Sequence, residues 1–310
     1  MKSLKKRLIF DPTDNDSNWI NSYAAIPVVN LISDTVLRIY FSTRDPKGRS
    51  LPTFIDVSPD NPYDIRYIHD KPILKLGKIG TFDDNGIMPS SIVCFDGKIY
   101  LYYIGWNPQV TVSYRLSIGL AISRDGINFY KYSEGPLMDR DQDEPYFNTA
   151  PHVIIDNGKW KMWYVSCTGW KIINDWPEPL YLIRYAESDN GINWERMNVE
   201  CIGYDEFAHA IGRPFVYKDN NLYKMLYSYR NSVDYRSDPK RSYRLGYAES
   251  PDGLNWERKD HWIDLRSNPQ VWDYVMQEYC SVYTFNDIRY LIYNGNGFGK
   301  AGFGYAILEN

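Results

Sequence analysis

The strongest constraint on what this 310-residue chain can fold into is a repeat of sixty-odd residues running along its whole length. Three segments align directly: Gly119-Leu-Ala-Ile-Ser-Arg-Asp-Gly-Ile-Asn-Phe129, Arg184-Tyr-Ala-Glu-Ser-Asp-Asn-Gly-Ile-Asn-Trp194 and Gly246-Tyr-Ala-Glu-Ser-Pro-Asp-Gly-Leu-Asn-Trp256. A shorter copy, Gly304-Tyr-Ala306, follows them. A second landmark keeps the same step. Pro27, Pro89, Pro151 and Pro214 each lead a short apolar run, and Cys280 falls where a fifth would stand; successive members are 62 to 66 residues apart. A period of this size means one supersecondary unit stacked several times, because a single unit cannot bury its own apolar face.

Each unit reads as strand, turn, strand, loop, strand, turn, strand. The Asp-Gly and Asn-Gly pairs at 96–97, 125–126, 157–158, 190–191 and 252–253 supply the positive φ that tight hairpins require. Lys159-Trp-Lys-Met-Trp-Tyr164 alternates with period two, and helical periodicity is nearly absent. Four-stranded antiparallel units repeated around an axis make a β-propeller. The expected fold is therefore all-β: one five-bladed β-propeller domain over 1–310, with blades at 15–70, 80–140, 143–203, 205–265 and 272–310. Lys5–Phe10 is expected to supply the outer strand of the last blade, which closes the ring and hides its edge.

The 28 tyrosines, 12 phenylalanines and 10 tryptophans suit half-buried pleated sheets, and a few flat rings are available to stack on sugar faces. A net charge of −4 provides no positive field for nucleic acid or anionic membrane. No apolar run is long enough to span a bilayer, and Leu8-Ile-Phe10 is too short for a secretory core. Cys94, Cys167, Cys201 and Cys280 are scattered without a CxxC pair, as expected of reduced thiols in a cytoplasmic protein. Two histidines without ligand spacing, His152 and His209, give no metal motif; no metal and no cofactor are expected.

In a propeller the entrances of the inner strands converge on a central funnel. The segments before the periodic prolines offer Asp84, Glu144, Glu206 and, before Cys280, Glu278; Arg44, Asp45, Arg213 and Arg230 lie at strand ends nearby. Paired carboxylates in one low-dielectric pocket suit glycosidic bond chemistry, one protonating the leaving oxygen and the other activating water or attacking the sugar. Glu144 and Glu206 are the candidate acid and base, with Asp84 and Asp45 as further catalytic carboxylates. Arg44, Arg213, Arg230, Glu278, His152 and His209 are candidates for substrate binding. The insertion Thr168–Pro179 is expected to be a loop presenting Trp170 and Trp176 as stacking platforms.

The Ala-x-Ser-x-Asp-Gly-x-x-Trp repeats, proline-led inner strands and Gly-Lys-x-Tyr-x-x-Tyr second strands resemble the five-bladed propeller glycosidases. That superfamily includes arabinanases, β-xylosidases, invertases, levansucrases and mannoside phosphorylases. The resemblance covers the whole chain and implies a glycosidase acting on an oligosaccharide or glycoside, with a base or nucleophile on the first blade, a modulating aspartate and a glutamate acid. By blade position it implicates Asp84 or Asp45 and Glu144 or Glu206. Ser22-Tyr-Ala-Ala-Ile-Pro27 lacks the aspartate that inverting members carry there. That absence motivates a second reading, a non-catalytic saccharide-binding propeller; the funnel arginines motivate a third, a glycoside phosphorylase using inorganic phosphate.

Overall fold

The computed structural model describes residues 3–265 and 269–308. Its strands form five antiparallel runs of four. Unit one comprises Ala25–Ser33, Val36–Arg44, Ser50–Val57 and Ile65–Ile68; unit two comprises Ile87–Phe95, Lys98–Pro108, Tyr114–Ser123 and Tyr130–Lys131. Unit three comprises Asn148–Asp156, Lys159–Ile173, Trp176–Ser188 and Glu195–Ile202; unit four comprises Ala210–Asp219, Leu222–Arg230, Arg244–Ser250 and Glu257–Arg258. Units three and four count as one eight-stranded sheet only through the single parallel pairing of Tyr181 with Ala210. Unit five comprises Glu278–Phe285, Ile288–Asn294 and Phe303–Leu308, and its outer strand is Ser3–Phe10, antiparallel to Phe303–Leu308. Among the described residues no helix is long and apolar enough to cross a membrane.

Local chemistry explains the strands. In the repeated Ser-x-Asp/Asn-Gly turns, the Asp125, Asn190 and Asp252 side chains accept backbone N–H bonds from the residues that follow, while Ser123, Ser188 and Ser250 hold the glycine N–H. Gly126 has φ 70°, which a side-chain-bearing residue adopts only with strain. These turns also join the units. Tyr40 donates to the Gly126 carbonyl, Tyr102 to that of Gly191 and Trp163 to that of Gly253, each reaching from one unit into the next. Ser281 of unit five donates to the Pro27 carbonyl of unit one, and Tyr283 to that of Pro59. Buried apolar clusters lie between units one and two, two and three, three and four, four and five, and five and one. Packing thus returns to its starting point around a central axis.

A second repeated device fastens the loop ahead of the inner strand to the outer strand. A tyrosine of the second strand donates to a carboxylate, which a base from the outer strand neutralises. In unit two these are Tyr103, Asp83 and Lys131, with Tyr103 Oη 2.9 Å and Lys131 Nζ 2.6 Å from Asp83. In unit three Tyr164 Oη lies 2.6 Å and Arg196 Nε 3.4 Å from Glu144. In unit five Tyr293 Oη lies 2.8 Å and Lys6 Nζ 2.6 Å from Asp273. Unit four takes its acid from after the outer strand: Asp260 binds Tyr227 and, at 2.7 Å, Arg258. Every one of these bases stands opposite the periodic alanine, at Ala121, Ala186, Ala248 and Ala306, whose small side chain leaves it room.

Unit one departs from this pattern. Phe41 occupies the tyrosine position, Ile68 stands opposite Ile55 where the base would be, and buried Ile20 takes the acid's place. Phe41 packs instead on Phe10 and Phe303, at 5.2 and 5.3 Å between ring centres.

Candidate active site

All five inner strands carry a bulge at or beside the landmark residue. In four strands the residue ahead of the landmark leaves the register and has positive φ: 58° at Ile26, 46° at Ala150, 54° at Arg213 and 55° at Tyr279. In unit two the shift falls later, at Ser90, and Met88 stays paired with Ile104. A bulge re-aims a side chain, and strained backbone of this kind clusters at functional sites. Those four residues and Met88 line one cavity of about 300 Å³ on the axis. A second tier comes from the ends of second strands and the loops after them: Arg44, Trp106, Arg230, Tyr235 and Arg236. Tyr114, Tyr181, Tyr243 and Phe298 complete an aromatic wall.

Four arginines face this space, and no carboxylate is among its lining residues. Arg230 is wholly buried, donates to Tyr243 Oη at 3.1 Å, stacks 3.7 Å above the Tyr235 ring and faces Glu178 at 3.6 Å. Glu178 also accepts from Tyr235 at 3.1 Å and from Arg236, so it is the counter-charge of that pair. Arg44 lies 4.7 Å above Tyr23 and 5.2 Å from the Trp106 ring, and burial lowers its pKa. Arg213 is 2% exposed, and neither its Nε nor its Nη2 has a partner among the described residues. Tyr181 and Tyr243 share a hydrogen bond of 2.6 Å.

Glu278 precedes the bulged Tyr279 and is 0% exposed. Neither carboxylate oxygen makes a close hydrogen bond among the described residues, the Tyr279 side chain being a more distant donor. Burial drives its pKa well above the usual carboxylate range, and the Arg230 charge and nearby Tyr279 offset only part of that effect. Burial therefore favours its protonated form.

Of the residues singled out from sequence, Arg44, Arg213 and Arg230 line the cavity. Glu278 is not in the lining but precedes Tyr279, which is, and interacts electrostatically with the lining residues Arg230 and Tyr243. Glu144, Glu206, Asp84 and Asp45 are not brought there. Glu144 is spent in the unit-three fastening, where Asn148 and Arg196 also bind it. Asp84 braces its loop through Gly80 N–H at 2.8 Å and Asn107 Nδ2 at 2.5 Å. Asp45 caps a turn through the Lys47 and Arg49 backbone and the Arg49 side chain. Glu206 is exposed.

His152 is buried between inner strands, bonded to the Val216 carbonyl at 2.9 Å; burial and the Arg213 charge push its pKa down to about 3. His209 is half-buried and outside the lining. The 168–179 insertion is not a loop but an extension of a hairpin, with Asn174 and Asp175 both at positive φ in its two-residue turn. Trp170 consequently packs on Tyr114 and Phe147, while Trp176 stands 54% exposed at the tip; neither lines the cavity.

What sequence reasoning missed is Arg236, Glu178, Trp106 and the tyrosine wall. Alignment of the repeats isolates Glu278 and Arg213, already named, and not these residues. Aligning the five inner strands on the landmark residue puts Ala25, Ile87, Thr149, Gly212 and Glu278 in one column and Ile26, Met88, Ala150, Arg213 and Tyr279 in the next. Each column holds a single charged residue.

No family model matches the chain. The protein is similar in structure to a glycoside hydrolase, with a TM-score of 0.77 and 18% identity over 100% of this chain and 92% of that one. It is also similar to a thermostable family-43 glycoside hydrolase, with a TM-score of 0.65 and 19% identity over 92% and 88% of the two chains. In sequence it is 25% identical to a 1,2-beta-oligomannan phosphorylase of Thermoanaerobacter sp. over 212 residues, 67% of this chain and 64% of that protein. Its fold is accordingly the β-propeller shared by these glycoside hydrolases. With the uncharacterized protein Rv1502 of Mycobacterium tuberculosis the identity is 38% over 307 residues, 97% of each chain, so this chain belongs to the Rv1502 family.

Proposed function

We propose that the protein is a carbohydrate-active, glycoside hydrolase-like enzyme that cleaves or transfers a glycosidic bond in the axial cavity, and that its five units are the five blades of one propeller. The observation that carries this reading is Glu278, a fully buried carboxyl group whose protonated form burial favours, directly before Tyr279 of a cavity walled by tyrosines and arginines. It takes the part first given to Glu144 and Glu206: it donates its proton to the leaving glycosidic oxygen as that oxygen gains charge. Tyr and Trp rings receive the apolar sugar faces, and Arg230, fixed by Glu178 and Tyr243, orients hydroxyl groups.

The lining also favours a second route to bond cleavage. Hydrolysis by inversion requires a base carboxylate on the far side of the sugar, and Glu178 is engaged by two arginines and a tyrosine. Phosphate brings its own negative charge to the anomeric carbon and needs only cations to hold it, so the arginines suit phosphorolysis. The similarity to a 1,2-beta-oligomannan phosphorylase supports that route.

The test is turnover on a panel of disaccharides and aryl glycosides with and without inorganic phosphate, reading free sugar against sugar 1-phosphate. The expected result is release that Glu278→Gln abolishes while the circular dichroism spectrum is unchanged. Saccharide binding without turnover, indifferent to Glu278→Gln, would instead identify a non-catalytic sugar-binding propeller.

A further inference from the structure

Arg213 is a buried cation with no counter-charge. Its Nη1 reaches only the carbonyl of its own neighbour Pro214, at 3.4 Å, and its other two nitrogens are unpartnered among the described residues. The groups that most favour its charge are Cys280 and Tyr279. Burial pushes the Cys280 thiol up to about 12 and the Tyr279 hydroxyl well above its usual range, so both are neutral at physiological pH. Burial lowers the pKa of Arg213 itself to about 10, which still leaves it charged. Leaving two donors of a charged group unsatisfied in a protein interior is costly, and bulged backbone at φ 54° holds the group there. The other inner strands place Ile26, Met88, Ala150 and Tyr279 at the same position, so the fold itself requires no arginine.

Arg44, half-buried, lines the same cavity without an acidic ion-pair partner among the described residues. Its Nη1 binds the Gly48 carbonyl at 3.0 Å, and among the described residues Tyr23 is the group that favours its charge. Arg230 and Arg236, by contrast, share Glu178. Four arginines thus face the cavity and Glu178 pairs with two of them, so the lining carries an excess of positive charge, suited to a charge-assisted fork of hydrogen bonds to an oxyanion.

We propose that Arg213, together with Arg44, is the receptor for an oxyanion in the axial cavity, the carboxylate of an acidic sugar or a phosphate group. This deepens the reading of the cavity as a glycosidic-bond site by naming its substrate class, and it rests on that reading. The ligand's oxygens complete the free guanidinium donors, its sugar ring lies against the tyrosine wall, and no covalent step is involved.

Binding is measured by calorimetry and thermal shift on the intact protein with glucuronate, inorganic phosphate and glucose as the three probes. Glucuronate or phosphate is expected to bind at least about tenfold more tightly than glucose, and Arg213→Met to remove that advantage. Glucuronate without phosphate places the anion on the sugar; phosphate without glucuronate makes it a phosphoryl group. Arg213→Met is also expected to raise the melting temperature of the ligand-free protein, because it removes an uncompensated buried charge. Should that variant fail to fold, Arg44→Met, whose side chain is only half-buried, is read in the same assay. No preference for either anion over glucose, or a preference indifferent to both substitutions, would overturn the proposal. Anion binding without turnover of any glycoside would keep it and discard the glycosidic-bond reading. Turnover of neutral glycosides unaffected by Arg213→Met would do the reverse.

Discussion

The molecule contains two kinds of buried carboxylate, and they teach opposite lessons. Asp83, Glu144 and Asp273 lie in loops ahead of inner strands, each satisfied by a tyrosine and a base from its own unit. Glu278 lies on an inner strand at the axis and makes no close hydrogen bond among the described residues. A saturated buried acid is structure: its ion pair and hydrogen bonds are made before any ligand arrives. An unsatisfied one is chemistry in waiting, since a proton held in a dry pocket is what an acid catalyst needs.

The largest effect that separates the two is on turnover. Glu278→Gln keeps the shape and neutrality of the protonated acid but cannot release a proton. Steady-state kinetics are expected to show a loss of about 10²–10⁴-fold in kcat. The same variant sharpens the comparison through pH. The unfolded carboxyl gives up its proton near 4.5, whereas the folded one holds it well above that value. As pH rises above about 4.5 the unfolded state gains stability relative to the native one, until the folded group also ionises. Melting curves should therefore show Glu278→Gln gaining on the wild-type protein between about pH 5 and pH 8. Parallel curves would mean that Glu278 is ionised in the native protein.

Next in size is a substitution in the saturated class. Asp273→Asn leaves the Lys6 ammonium, itself almost wholly buried, without its counter-charge. Denaturant unfolding is expected to show a loss of about 3–5 kcal/mol. Activity per folded molecule should be unchanged, the converse of Glu278→Gln. A loss of activity without a loss of stability would place Asp273 in the catalytic class and break the comparison.

These contrasts also show how far the sequence could be read. Strand alternation and the Asp-Gly turns are local signals, so the all-β fold and the unit length were open to inspection. Arg44 and Arg230 end their second strands and Arg213 sits beside a landmark proline; position in the repeat was enough to aim all three at the axis. The loop acids defeated the same reasoning because what an acid faces is not local. Asp273 meets Lys6 across 267 positions and Glu144 meets Arg196 across 52. The insertion misled for another reason: Asn174-Asp175 makes a tight turn without glycine, so a hairpin looked like a loop. The tyrosine wall was hidden by abundance, since rings at the cavity and rings in the core carry the same letters.

The smallest effects come from exchanging the rules of unit one with those of its neighbours. Tyr103→Phe copies Phe41 into unit two, where Asp83 keeps Lys131 but loses the phenol donor, at an expected cost of about 1 kcal/mol. Phe41→Tyr does the reverse. Its hydroxyl would enter a space defined by Ile20, Phe10 and Phe303, with Ile68 at the position of the base. A hydroxyl buried without a partner costs about 1–3 kcal/mol. Supplying the acid as well, with Ile20→Asp in the Phe41→Tyr background, is not expected to restore stability, because no cation stands opposite Ile55. Only the triple change that adds Ile68→Lys completes the set. A double-mutant cycle in which Ile20→Asp and Ile68→Lys couple favourably would show that the fastening belongs to the repeat. Simple additivity would show that unit one has repacked around its apolar version and no longer accepts the charged one.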